Sequence, residues 1–194
     1  GERLRSRPGR RPSGGRQARQ AQDEINETIL VVGGGVSGLT SALASAKAGY
    51  SVILTEKENQ LGGWLNKIYK IAPTSDPYTT LESTKIEDLI SEVEANDKIK
   101  VIKSCTIEKI SGQPGNFNVK LITNGTPSEP VIVGAIIQAT GWKQYKPEKL
   151  EELGYGKFDN VITNIQLEES FKTGKSNSAF NGEPIKSIAF IQCA

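Results

Sequence analysis

The chain has 194 residues, a formal net charge of +2, no histidine and two cysteines, Cys105 and Cys193. This is long enough for one domain of ordinary size with a substantial core, and it excludes histidine-based triads, zinc ligation and C-x-x-C redox chemistry. With no run of about eighteen apolar residues and no charged-then-apolar leader, neither a membrane span nor a secretory signal is expected; a cytoplasmic protein is.

The small net charge hides a division. All seven arginines fall in the first twenty residues against a single glutamate, a local charge of +6, while the other 174 residues use only lysine and sum to −4. Rich in Gly, Pro, Ser and Arg, residues 1–27 read as a disordered tail or linker, since they cannot bury enough apolar surface to fold. A natural linker and a segment foreign to the folded part both fit this composition. Any nucleic-acid role would rest on the tail alone, so none is expected of the rest.

Ile29–Val32 is an apolar β-like run that delivers the chain to Gly33, Gly35 and Gly38, a G-x-G-x-x-G set. A small-residue helix follows, with apolar positions at Val36, Leu39, Leu43 and Ala46 and a closing glycine at Gly49. Gly33 permits a tight turn, Gly35 a close backbone approach to a pyrophosphate, and Gly38 close packing of helix on strand. The helix start, with Val36 and Ser37, turns free N–H groups and the positive dipole end toward a diphosphate.

Ser51–Thr55 is the second strand of a βαβ unit and runs into Glu56, 21 residues after Gly35. An acid there is placed to accept both hydroxyl hydrogens of an adenosine ribose and to repel a 2′-phosphate, which favours NAD or FAD over NADP. Gly62-Gly63, followed by Trp64, offers bare backbone along a diphosphate and ribityl chain and so favours FAD. Residues 65–82 read as a loop able to cover a flavin. Thr84 and Glu87 form a capping box for a helix with Ile86, Leu89, Ile90 and Val93 on its apolar face, ending at Asn96 and Asp97.

Strands are predicted over Ile99–Ile102 and Thr106–Ile110, with Cys105 just before the latter as a small buried residue. A Gly112–Gly115 turn, a strand over Phe117–Ile122, an Asn124-Gly125 hairpin turn and a buried strand over Val131–Gln138 complete a β-meander. The last strand ends in Ala139-Thr140-Gly141, small residues that would let it meet the cofactor from the far side. Thr173–Gly182 reads as a surface connection, and Ser187–Cys193 as a buried strand that runs to the chain end, so the chain is read as a piece of a longer one.

Six segments, VVGGGVSG, TEKENQLGG, GQPGNFNV, AIIQATGWKQY, LEELGYGKFDNVIT and SIAFIQC, carry a resemblance to the FAD-containing A subunit of heterodisulfide reductases, from about Thr28 to Ala194. The resemblance implies that Gly33, Gly35, Gly38, Glu56, Lys57, Gly62, Gly63, Thr140 and Gly141 contact FAD, and that Ile107 holds adenine through its backbone. It also implies iron–sulfur electron-transfer subunits as partners, with a pyridine nucleotide as possible donor. Two departures stand out: Pro73–Glu82 lacks the family's cluster-binding cysteines, and no ferredoxin-like cysteine insert follows the meander. Cys193 matches the family's Q-C but stands alone, and no metal site is expected.

The expected fold is therefore α/β: a Rossmann-like FAD-binding domain of the two-dinucleotide-binding type over residues 28–145, with a parallel sheet and a β-meander. Residues 146–194 are expected to be a connection and the first strand of an incomplete second nucleotide-binding domain. The expected function is FAD-dependent electron transfer. The rivals are a stand-alone oxidoreductase of the thioredoxin-reductase-like class and a non-catalytic nucleotide-fold scaffold.

Overall fold

The computed structural model describes residues 25–174, 179–180 and 183–191. The arginine-rich segment and Cys193 lie outside the described residues. Four parallel strands, β1 (Thr28–Val32), β2 (Ser51–Thr55), β3 (Ile99–Ile102) and β8 (Ala135–Gln138), form a sheet in the order β3-β2-β1-β8. Helices α1 (Val36–Lys47) and α2 (Ile86–Glu94) cover one face. The other face carries an antiparallel sheet of β4 (Cys105–Gln113), β5 (Asn116–Thr123), β6 (Thr126–Pro127) and β7 (Val131–Val133).

This layering explains why β1 is apolar without alternation. Val31 packs against Leu39, Ala42, Val52, Leu54 and Val93 on the helix side. Its neighbour Leu30 packs against Cys105, Val119, Leu121 and Val133 on the meander side. A strand buried on both faces has no solvent side to mark with polar residues. Cys105 is buried as expected, inside the meander core.

The helices depart from expectation in two details. On α1 the buried stripe is Leu39, Ala42 and Ala46, with Leu43 partly buried, whereas Val36 is 45% exposed because it opens the helix beyond the edge of the core. Ala48 is the C-cap and Gly49 follows it with φ +108°. The capping box expected at Thr84 and Glu87 does not form: Lys85 is the N-cap, in a left-handed conformation with no side-chain cap, which leaves Thr84 outside the helix. Glu87 and Asp88 in the first turn still complement the helix dipole. Ile86 and Val93 are buried and Leu89 and Ile90 pack beside them, as the periodicity predicts.

The meander is longer than predicted and its return is broken. Strand β4 runs on to Gln113, so the turn narrows to Pro114-Gly115, while Asn124-Gly125 turns with φ +52° and +77° as a hairpin of the predicted kind. The single buried strand expected over Val131–Gln138 is two strands. Residues 131–133 pair antiparallel with β5, and residues 135–138 pair parallel with β1. Between them Gly134 donates to the carbonyl of Thr28 at 2.9 Å and accepts from Gly115 at 2.9 Å, so the chain changes sheets there. A Cβ at Gly134 would run into the carbonyl of Asn26. Ala135 and Gln138 are exposed, because β8 lies at the edge of the parallel sheet among the described residues.

After Gly141 come two short 3₁₀ turns at Pro147–Lys149 and Glu151–Leu153, then helix α3 (Asn164–Lys172), which no sequence pattern above anticipates. Strands β9 (Ala179–Phe180) and β10 (Glu183–Pro184) pair antiparallel. The strand expected over Ser187–Cys193 is not formed at 187–191, where the side chains are exposed and no described strand runs alongside to pair with them.

Candidate functional site

Three loops leave the carboxyl ends of adjacent parallel strands and meet at the start of α1. Gly33 follows β1, Glu56 follows β2, and Ala139-Thr140-Gly141 follows β8. The sheet ladder sets their heights. Gly33 donates to the carbonyl of Thr55 at 2.8 Å, and Ala139 donates to that of Val32 at 2.8 Å. Such a carboxyl-end crevice is where open α/β sheets bind ligands.

Gly33 and Gly38 have the tight turn and the close packing that their spacing predicts. Gly33 has φ +109°, a conformation that costs other residues dearly, and a Cβ there would overlap the carbonyl of Ala139. A Cβ on Gly38 would overlap the carbonyl of Gly33, and would lie 3.6 Å from Cβ of Ala139. The helix, the turn and the β8 loop are thus mutually locked by small residues. Gly35 is different: a Cβ there would meet nothing within 4 Å, so its Cα hydrogen side faces open space. Gly35 is also the N-cap of α1 and offers no side chain to the orphan N–H groups of the first turn. Val36 and Ser37 in that turn are exposed.

Glu56 is only 7% exposed and has no salt-bridge partner among the described residues. Its carboxylate is held instead by backbone donors. Oε2 accepts from Gly34 at 2.6 Å and Oε1 from Glu58 at 2.9 Å, and each oxygen keeps a lone pair. Gly34, which sequence reasoning passed over, makes this possible: a Cβ there would lie 3.0 Å from Oε2 and 2.5 Å from Cδ2 of Leu61. The signal was the third glycine in the Gly33-Gly34-Gly35 run.

The second glycine pair docks on the first turn. Gly62 bridges to Gly35 in parallel and donates to the carbonyl of Gly34 at 2.8 Å. A Cβ on Gly63 would lie 3.1 Å from Cα of Gly35. Gly63–Asn66 then forms a 3₁₀ turn that opens the predicted loop, and Ile71 and Glu82 bridge across that loop's base. Trp64 in the 3₁₀ turn stacks on Trp142, with ring centroids 4.8 Å apart and planes 15° from parallel. Trp142 is a second residue that sequence reasoning missed. A hollow of about 440 Å³ lies beside the turn, lined by Ser37, Ser41, Gln138 and Thr140 among others.

Two predicted residues stand apart from this cluster. The Lys57 side chain is largely exposed and pairs with Glu58 at 3.6 Å. Ile107 lies in β4 beside a bulge, with its side chain against the meander core. Two residues earlier in the same strand, Cys105 donates to the carbonyl of Glu56 at 2.8 Å. Among the described residues no cluster of His, Cys, Asp or Glu could hold a metal ion, and no helix is long and apolar enough to cross a membrane.

The donor set fits a dinucleotide. Uncapped N–H groups at a helix start can donate to a diphosphate, the bare face of Gly35 leaves room for its approach, and the free lone pairs of Glu56 suit ribose hydroxyls.

Comparison with known proteins agrees. Residues 28–137 match the family described as FAD dependent oxidoreductase. The chain is 28% identical to the second iron-sulfur A subunit of the CoB–CoM heterodisulfide reductase of Methanopyrus kandleri, over 88% of this chain and 38% of that protein. It is 24% identical to the A subunit of the ferredoxin/F(420)H(2)-dependent CoB–CoM heterodisulfide reductase of Methanosarcina acetivorans, over 92% of this chain and 32% of that one. It spans roughly a third of the length of these relatives. Among solved structures, thioredoxin reductase from Lactococcus lactis in its FR conformation superposes with a TM-score of 0.50 and 21% identity, over 66% of this chain and 41% of that one, a likeness of fold.

Proposed function

The chain belongs to the FAD-dependent oxidoreductase family, and on that premise we propose that it is the FAD-binding part of an oxidoreductase like the A subunit of heterodisulfide reductases, one that passes electrons between a pyridine nucleotide or a protein partner and iron–sulfur subunits. The relatives named as heterodisulfide reductase A subunits support this reading along most of the chain. In it, residues 28–145 are the FAD-binding domain and residues 146–194 lead toward a second nucleotide-binding domain. Exchange with a soluble nicotinamide pool puts the protein in the cytoplasm.

FAD, when bound, supplies the redox chemistry, and the chain's own residues bind and orient it. Gly33, Gly35 and Gly38 shape the turn, and the N–H groups of Val36 and Ser37 take the diphosphate. Glu56 accepts from the ribose hydroxyls while its backbone bonds keep it in place. Gly62, Gly63 and Trp64 on one lip, and Thr140 and Gly141 on the other, line the remainder, with Lys57 as a further contact and the Ile107 backbone toward adenine.

The observation that carries the reading is the 2.6 Å bond between Gly34 and Glu56, which joins the phosphate turn to the ribose acid in one rigid unit. Its test is the absorbance spectrum of the purified protein before and after FAD titration. Flavin bands that remain with the protein through gel filtration are expected. A folded protein that stays colourless and takes up no added FAD would overturn the proposal.

A further inference from the structure

The two tryptophans of the chain come from segments 78 residues apart and meet at one place. Trp64 follows Gly62-Gly63, the pair that docks on Gly34 and Gly35. Trp142 follows Thr140-Gly141, the loop that abuts Gly33. The two indoles therefore join the two loops that flank the glycine turn.

Little besides the stack itself holds this pair closed. Trp142 is 62% exposed, and the one polar link is the Trp64 indole N–H donating to the Trp142 carbonyl at 3.2 Å. Gly141, between β8 and Trp142, has φ +66° and open space where a Cβ would be, so the chain turns into Trp142 at a residue with no packed neighbour on its Cβ side. The Trp64 side is firmer. Lys67 places its ammonium 5.3 Å from the Trp64 ring centroid, and Lys172 and Glu168 of α3 bond to the main chain at Asn66 and Tyr69.

Nearly parallel indoles offer two flat π-faces, and the strongest competitor for such faces is another large flat ring. We propose that Trp64 and Trp142 are a binding subsite for the ring end of the dinucleotide, the lips parting at Gly141 so that the isoalloxazine stacks between the two indoles. Trp142 becomes a cofactor-binding residue in this assignment. The inference rests on the FAD reading above and adds to it the residues that receive the ring rather than the phosphates.

The test titrates FAD and ADP separately into the full chain, into Trp142→Ala, Trp142→Phe and Trp64→Phe, with indole fluorescence and equilibrium dialysis as readouts. ADP shares the diphosphate and adenosine but lacks the ring. FAD is expected to quench indole emission in the wild type, and Trp142→Ala to weaken FAD about tenfold while ADP affinity changes less than about twofold. Both phenylalanine variants should retain most of the FAD affinity. Equal affinity of wild type and Trp142→Ala for FAD would overturn the subsite, as would an equal loss for ADP and FAD. A wild type that binds ADP but not FAD would overturn the subsite while leaving the nucleotide turn intact, and one that binds neither would overturn the FAD reading itself.

Discussion

Residues 28–62 and the described residues beyond Gly141 are held in place by different physics. In the first stretch, backbone meets backbone: β1 is bonded on both sides, Gly38 touches the carbonyl of Gly33, and Gly62 bonds to the carbonyl of Gly34. In the second, α3 buries only Ile165 and reaches the remainder through side chains. Lys172 bonds to the Asn66 carbonyl at 2.7 Å, Glu168 accepts from Tyr69 at 2.8 Å, and Lys67 and Glu169 pair at 3.8 Å. Phe158, Ile188, Phe190 and Ile191 stay exposed. Backbone contacts between small residues tolerate no added atom, whereas exposed side-chain contacts can be lost singly. The first region should therefore fail as a unit, and the second piece by piece.

The largest effect is expected from Gly38→Ala. The new Cβ would fall on the carbonyl of Gly33, which can move only if β1, the turn and the Ala139 loop move with it. A destabilisation of about 3 kcal/mol is expected, the upper range for overpacking. Denaturant unfolding measures it directly, and the FAD titration should fail in parallel. An alanine variant of wild-type stability would mean that the turn is looser than its contacts imply, and the contrast between the two regions would collapse.

This difference also decides what could be read from the sequence. The glycine turn, the strand before it and Glu56 after β2 were legible because each is specified within one βαβ unit by residue types that do little else. Gly62-Gly63 was legible for the same reason. The sheet change at Gly134 was not, since Val131–Gln138 is one apolar run whether it serves one sheet or two; only the approach of Asn26 separates them. Lys85 in a left-handed conformation moved the start of α2 past the apparent capping box. Trp142 had no local signal, because its partner lies 78 residues away. Helix α3 did carry one, Thr163-x-x-Gln166, but with Ile165 as its only buried residue the apolar face that usually announces a helix is nearly absent.

An intermediate effect is expected at Glu56→Gln, which keeps the shape but turns an amide NH₂ toward one of two backbone donors. Either Gly34 or Glu58 then loses its acceptor, and the surviving bond loses its charge assistance. The cost should be about 2 kcal/mol. On the proposed ribose contact, FAD affinity should also drop about tenfold, since a neutral amide accepts from only part of a ribose diol. Unfolding midpoints and dialysis separate the two losses. A variant that loses FAD affinity at unchanged stability would show that Glu56 serves the ligand alone and does not brace the turn.

The smallest effect is expected from Thr163→Ala. Thr163 Oγ1 accepts from the Gln166 N–H at 3.2 Å, and Gln166 Oε1 accepts in return from the Thr163 N–H at 2.8 Å. Removing the hydroxyl breaks one half of this box and should cost α3 about 1 kcal/mol. Because α3 adds so little to either core, that loss should be local, with faster amide exchange in residues 164–172 and at Tyr69, whose N–H depends on Glu168. The global unfolding midpoint should barely move, and FAD affinity should change less than about twofold. If the midpoint fell as far as for Gly38→Ala, α3 would be a cooperative part of the sheet domain, and the side-chain contacts to Asn66 and Tyr69 would be carrying far more than exposed hydrogen bonds and ion pairs ordinarily do.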